Sequence, residues 1–298
     1  MKPTISRLLQ ASRVLHHENP LGLPQKGTIP RFQRGLPQKR PIRDVSHVIA
    51  VSSAKGGVGK STVAANLSLA FARLGHRTGI LDVDIFGPSI PTLFSLNDSP
   101  RLTPANQLIP LTNYGVKTMS MGYLLPDDNS SVVWRGPMLL KAIQQLLHEV
   151  DWGGLDILVL DLPPGTGDTQ LSIAQQIVLD GSVIVTTPHT LAVKDAVKGI
   201  DMWNKVNVPL LGLVQNMSVF TCPCCNTSTS VFGGADKIRG VCEEHGMDFL
   251  GDVPLHMNIG DDGARGKPTV VSEPESDRGR AFVDIARQVG RKIGLSQQ

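Results

Sequence analysis

His47-Val48-Ile49-Ala50-Val51-Ser52-Ser53-Ala54-Lys55-Gly56-Gly57-Val58-Gly59-Lys60-Ser61-Thr62 decides the reading of this chain. Its first five residues form a short apolar run rich in β-branched side chains, the pattern of a buried strand. Glycines follow at once, and Thr62 to Leu74 then carries Val63, Leu67, Ala70 and Leu74 at helical spacing. Strand, glycine-rich loop and helix, in that order, build a cradle for phosphate. Glycine lets the backbone wrap around phosphate oxygens so that successive N–H groups point inward, and the helix N-terminus adds a favourable partial charge. Lys60 is expected to reach the outer phosphates of ATP, and the Ser61 hydroxyl to ligate Mg²⁺. Lys55, Gly56, Gly57, Val58, Gly59 and Thr62 complete the expected nucleotide site.

The common pattern G-x-x-x-x-G-K-[ST] is not fully met, because Ala54 stands at its first glycine. The informative departure is Lys55, a second lysine just inside the loop. It is poorly aimed at its own phosphates and better aimed across a dimer interface, at the nucleotide of a partner chain.

A metal-dependent phosphoryl reaction needs carboxylates near the Mg²⁺ and near the attacking water. Gly79-Ile80-Leu81-Asp82-Val83-Asp84 is an apolar run ending in two alternating acids, expected on one side of a strand. Ile157-Leu158-Val159-Leu160-Asp161 is a second apolar strand closed by one Asp, then by the Gly/Pro-rich stretch Leu162 to Asp168. In open parallel sheets ligands sit at the carboxyl ends of strands. Asp161 is therefore assigned to Mg²⁺, Asp82 to the metal shell or the switch, and Asp84 to orienting or deprotonating the attacking water. Asp84, Lys55 and Lys60 are the expected catalytic side chains of a slow Mg-dependent ATPase. Two later runs, Ser182 to Pro188 and Leu210 to Asn216, fit the same winding. Asn216 sits where an amide can both donate to and accept from a purine edge. The expected fold is α/β, a doubly wound, mostly parallel sheet with helices on both faces.

Charge is unevenly placed. Residues 1–43 hold nine Lys or Arg against one acid, a net +8, whereas residues 44–298 hold 20 bases against 25 acids, a net −5. The basic balance thus belongs to the first segment, and the acidic body argues against binding nucleic acid through its phosphates. Ile5, Leu8, Leu9 and Leu15 can share one helical face with Arg7 and Arg13 off it; an Arg-rich, acid-poor start of this kind reads as a mitochondrial targeting segment. Pro20, Pro24, Pro30, Pro37 and Pro41 exclude a long helix after it, so an extended linker is expected up to Val45. Residues 1–43 are accordingly read as targeting segment and linker, and 44–298 as an ATPase domain. No apolar run is long enough to span a bilayer.

Three of the four cysteines crowd into four positions, Cys222, Cys224 and Cys225, which is poor spacing for a disulfide framework. Cys222-Pro223-Cys224-Cys225, inside a metal loop near residues 220–226, offers two well-spaced thiolates where a tetrahedral site wants four. Two chains solve that stoichiometry if each donates Cys222 and Cys225 to one shared site. Soft thiolates suit Zn²⁺ or a [4Fe–4S] cluster. Thioredoxin-type redox chemistry is the chief rival, but it expects its motif after the first strand and opening a helix. Cys242, in an expected helix, reads as a small buried apolar residue.

Lys55 to Ser61, Leu81 to Asp84 with Phe86-Gly87-Pro88-Ser89, Asp161 to Asp168, and Gln215-Asn216-Met217-Ser218 with Cys222 to Cys225 together resemble the Mrp/NBP-type P-loop ATPases. These are iron–sulfur carriers within the wider MinD and ParA class. The resemblance covers about residues 36–290, and Arg34-Gly35-Leu36-Pro37 with the targeting segment is similar to the mitochondrial branch of the family. It implies a homodimer bridging a labile [4Fe–4S] cluster through Cys222 and Cys225. It also implies delivery of clusters to iron–sulfur apoproteins of respiratory complex I in the mitochondrial matrix. Cys224 is an extra thiol inside the motif. The alternatives are a MinD- or ParA-like positioning ATPase and a zinc-bridged, nucleotide-gated dimer. The positioning class calls for an amphipathic anchor, whereas Arg278 to Gly294 reads as a last packed helix.

Overall fold

The computed structural model describes residues 39–85, 87–124, 136–234 and 236–295. The expected targeting segment and the linker up to residue 38 lie outside these. The chain begins with β1 (Val45–Ser52), α1 (Lys60–Arg73), β2 (Thr78–Asp82), α2 (Ile90–Phe94), β3 (Leu111–Asn113) and β4 (Val116–Ser120). It continues through α3 (Gly136–His148), β5 (Leu155–Asp161), α4 (Asp168–Gln176), β6 (Gly181–Thr186) and α5 (Thr190–Lys205). The last part holds β7 (Leu210–Thr221), β8 (Ser228–Thr229), α6 (Asp236–Glu244), β9 (Phe249–Leu255), α7 (Met257–Ala264), α8 (Thr269–Ser272) and α9 (Asp277–Lys292).

The strands lie in one sheet in the order β3-β4-β2-β5-β1-β6-β7, with both β8 and β9 paired to β7. Pairing is parallel except where β3 meets β4 and β8 meets β7. Period-2 alternation sends each strand's side chains to two separate cores. Val48 and Ala50 of β1 join Leu158, Leu160, Ile200 and Trp203 on one face. Ile49 and Val51 join Leu67, Phe71, Phe282 and Ile285 on the other. Because both faces are covered, the central strands read as continuous apolar runs, as expected for a parallel sheet. The doubly wound architecture is therefore the observed one.

Three details differ from expectation. Arg40 forms an isolated bridge to Ile177 and Ile42 is buried, so the chain packs onto the body before β1 enters the sheet at Val45. Strand β2 ends at Asp82 rather than running on to Asp84. The Asp84 N–H turns back to donate to Asp82 Oδ1 at 3.0 Å, a local side-chain turn that stops the ladder. The third is β9, whose Gly251, Asp252 and Pro254 are poor strand formers; it pairs with β7 alone, and an edge is where a strand proline is tolerated. The last helix, α9, forms close to where its periodicity placed it. The Ser276 side chain accepts from the Gly279 N–H, and Arg291 and Lys292 sit favourably in its final turn.

Candidate functional site

The carboxyl ends of β1, β2, β5 and β7 converge on the loop between β1 and α1. Gly57 and Gly59 hold φ of +78° and +82°, a left-handed backbone that side chains resist. A Cβ at Gly56 or Gly57 would meet nothing within 4 Å, so this part of the loop faces open space. Gly59 is different: a Cβ there would come within 2.1 Å of Asn216 Nδ2. That amide donates to the Val58 carbonyl at 2.8 Å, so Asn216 braces the loop from β7. No side chain caps the start of α1, which leaves its first N–H groups to other partners.

The acids sit beneath this loop. Asp82 and Asp161 are register partners on β2 and β5, and both are wholly buried. Lys60, at 6% exposure, bonds to Asp161 Oδ1 and to the Ser61 hydroxyl at 3.1 Å. Asp161 Oδ2 has no partner among the described residues. Burial pushes the Asp161 carboxyl up, and the Lys60 charge opposes that. Asp82 instead accepts from the N–H groups of Asp84, Ser89 and Ile90 and from the Ser120 hydroxyl, at 2.9 to 3.2 Å. It thereby braces the segment from Asp84 to Ile90. Burial, helped by the Asp161 charge, pushes its carboxyl up to about 7. Asp84 lies just past β2 and is only half-buried, close enough for its charge to act on Asp161. The two acids thus have different surroundings, not the shared strand face their spacing suggested.

The loop and the segment after β5 are tied together. Gly165 N–H donates to the Ser53 carbonyl at 2.8 Å, and the Ser53 hydroxyl donates to the Lys55 carbonyl at 3.0 Å. Lys55 is half-buried near Asp195 of α5, whose carboxyl its charge lowers as a lesser cause after Lys198.

Beside the loop is a cavity of 420 Å³, bordered by Gly59, Thr62, Asn216, Met217, Phe220, Pro254, Leu255, His256, Met257, Ile259 and Gly260. Its size suits a small-molecule fragment. Sequence reasoning found Thr62 and Asn216 here but missed the wall from Pro254 to Gly260. The available signal was an apolar stretch, Phe249 to Leu255, ending in Pro-Leu-His ahead of a helix, obscured by its Gly and Asp.

Strand β7 runs on past Asn216 into the cysteine motif. Residues 222–227 form the turn joining β7 to the two-residue β8. Cys222 N–H donates to the Thr227 carbonyl at 3.0 Å, and Asn226, at φ +55°, donates to the Cys222 carbonyl at 2.9 Å. Cys222 is half-buried, whereas Cys224 and Cys225 are exposed. Cys225 Sγ and the Thr227 hydroxyl lie 3.3 Å apart, close enough for that hydroxyl to donate to a Cys225 thiolate. That hydroxyl, backbone N–H groups and the neighbouring Cys222 hold it below the usual thiol range. Cys242 is buried in α6 and burial pushes its thiol up, the inert state expected of it. Among the described residues no three His, Cys, Asp or Glu side chains gather as a metal cluster. The hairpin itself carries three thiols, Cys222, Cys224 and Cys225.

Comparison with known proteins bears on this arrangement. Residues 44–290 match the family model described as ParA: NUBPL iron-transfer P-loop NTPase. The mouse protein named iron-sulfur cluster transfer protein NUBPL is 51% identical over 269 residues, covering 90% of this chain and 84% of its own. The Arabidopsis protein named iron-sulfur protein required for NADH dehydrogenase, mitochondrial, is 47% identical over 83% of this chain and 79% of its own. Among solved structures, the nucleotide-binding protein of Archaeoglobus fulgidus in complex with ADP superposes with a TM-score of 0.67 at 35% identity. It covers 80% of this chain and 93% of that one.

Proposed function

This chain belongs to the NUBPL iron-transfer P-loop NTPase family of the ParA class, and we propose that it is an ATP-binding carrier of [4Fe–4S] clusters. In this reading it serves the assembly of respiratory complex I in the mitochondrial matrix, with residues 1–43 as targeting segment and linker and 44–298 as the ATPase domain. The names of the mouse and Arabidopsis relatives support that assignment. The observation that carries it is a single strand, β7, which braces a phosphate loop with Asn216 and six residues later presents Cys222.

The cavity bordered by Asn216, Met257 and Gly260 suits an adenine ring, with phosphates lying along the open backbone of Gly56 and Gly57. The ADP complex of the Archaeoglobus relative supports a nucleotide there. Mg²⁺ fits the donors present, because Ser61 offers a hydroxyl and the buried Asp161 an oxygen without a partner. Such an ion would draw charge off the terminal phosphate when bound. Lys60 would leave Asp161 for the outer phosphates, with the bound cation compensating the buried carboxylate it leaves behind. Asp84, half-exposed at the mouth of the site, would orient the attacking water, and Asp82 would hold the segment that positions Asp84. Hydrolysis in this scheme is slow, and Lys55 completes the site of a partner copy.

Cys222 and Cys225 are the cluster ligands in the same reading. Two thiolates per chain call for a homodimer, which holds one cluster as cargo between two hairpins. The exposed position of the hairpin favours ready release to an apoprotein of complex I. Anaerobic purification followed by an absorption spectrum and by iron, sulfide and zinc analysis tests this. Near-equal iron and sulfide, about four each per dimer, is the expected result. Zinc at one per dimer without sulfide would contradict the cluster and favour a zinc-bridged dimer.

A further inference from the structure

We propose that Phe220 is a positioning residue that couples the cavity beside the phosphate loop to the cysteine hairpin. The proposal rests on the reading above that the cavity takes the base of a nucleotide. In a regular strand successive side chains face opposite ways, so Asn216 and Met217 could not both border one cavity. They do so here because Met217 adopts φ +55° and the pairing of β7 with β9 shifts between Asn216 and Phe220. Four steps along β7, from Asn216 to Phe220, face two along β9, from Val253 to Leu255. The extra residues form a bulge, a device that re-aims side chains next to binding sites.

Phe220 is where the ladder resumes after this bulge. It pairs with Leu255 of β9 on one side and with Thr229 of β8 on the other, and it borders the cavity. Cys222 follows two residues later. The arms of the hairpin that carries the thiols are joined by two ladder pairs, Phe220 with Thr229 and Thr221 with Ser228, by the bond between the Thr221 and Ser228 hydroxyls, and by the Cys222–Thr227 backbone bond. A hairpin this short is not stable by itself, so its order depends on how firmly Phe220 is seated. A ligand filling the cavity packs against the aromatic ring and restricts it. That restriction passes through two residues of backbone to Cys222. Nucleotide binding thereby orders the half-site for the cluster, and nucleotide loss loosens it. Coupling of this kind needs no large movement, only a change in how often the hairpin opens.

Hydrogen–deuterium exchange of the full chain, reduced and free of cluster, tests the idea with MgADP as the probe. Saturation is set by calorimetry separately for each variant, so that a change in affinity does not enter the comparison. In the wild type, saturating MgADP is expected to slow exchange across residues 221–228 by about fivefold or more, the low end of measured site-to-site couplings. Phe220→Ala should abolish that nucleotide-dependent ratio, and Phe220→Tyr, which keeps the ring, should retain it. If Phe220→Ala does not fold, Phe220→Leu replaces it with the same expected direction. A full ratio in the Ala or Leu variant overturns the proposal. So does a wild type that binds MgADP with no change in the hairpin. A wild type that binds no nucleotide in the calorimeter overturns the underlying nucleotide reading and takes this proposal with it.

Discussion

The phosphate-loop end of the sheet and the cysteine hairpin are linked by β7, which braces the loop at Asn216 and leads six residues later to Cys222, yet they are built on opposite principles. At the loop, Lys60, Asp82 and Asp161 are almost or entirely buried and held by the chain's own hydrogen bonds. At the hairpin, Cys224 and Cys225 are exposed and few bonds hold the turn. A buried charge needs a partner within the chain, because an unpaired buried charge is costly. Thiols at an exposed turn, with Cys222 half-buried and Cys225 exposed, pay no such penalty and can stand without a bound partner. The first region thus arrives with its buried lysine and carboxylate already paired, and in the proposed reading the second is half of a cluster site that another molecule completes.

The sharpest way to break this contrast is to remove Lys60. Lys60→Ala should weaken ATP binding by more than about 100-fold, or roughly 3 kcal/mol at 1.4 kcal/mol per decade. It also strands Asp161 as a buried carboxylate, so the denaturation midpoint should fall as well. Calorimetric titration with ATP, beside urea unfolding, checks both. Unchanged affinity would remove Lys60 from the phosphate site.

Next in size is Asp84→Asn. Nucleotide affinity should stay within about threefold while turnover drops about 100-fold, the usual effect of losing a group that positions or accepts a proton. Phosphate release under single-turnover conditions separates the two. Turnover at the wild-type rate would remove Asp84 from that role.

Lys55→Ala should act on association rather than on folding. ATP-dependent dimer formation, followed by light scattering across a concentration series, is expected to weaken by about tenfold. Normal association with normal turnover would place Lys55 outside the partner's site.

A further test is pH dependence. The folded-state value of Asp82 is raised from the ordinary 3.8 to about 7, so the native chain holds this proton more tightly than the unfolded chain. Its stabilising contribution is full below the unfolded value and is lost as pH rises through about 7. The urea midpoint of the wild type relative to Asp82→Asn, which cannot titrate, should therefore be lower at about pH 8 than at about pH 5. A difference that stays constant across that range would show that Asp82 is not perturbed by its burial.

Much of the phosphate end was legible in the sequence because its signals are local. A buried parallel strand is a run of apolar residues, and Val48 to Val51 and Ile157 to Leu160 show it without interruption. The glycine loop declares its own backbone. The environments of Asp82 and Asp84 were not legible, because alternation assumes that the strand continues, and here a side-chain turn ends it at Asp82. Strand β9 and the cavity wall from Pro254 to Gly260 were hidden for a related reason. Gly251, Asp252 and Pro254 argue against a strand locally, and only pairing with β7 overrides them. The hairpin was legible as a motif, whereas the bulge at Met217 that links it to the cavity depends on long-range register.

Iron and sulfide per dimer, measured anaerobically in single Ala variants of all four cysteines with ATP binding determined on the same samples, test the complete-site and half-site account most directly. In the proposed dimer, either Cys222→Ala or Cys225→Ala would remove two of the four ligands at once, because both chains lose the same residue. Each is expected to lose nearly all cluster while binding ATP as the wild type does. Cys242→Ala and Cys224→Ala should keep both. Full cluster in the Cys222 or Cys225 variant would contradict the shared half-site, and loss confined to the Cys224 variant would move the ligand pair.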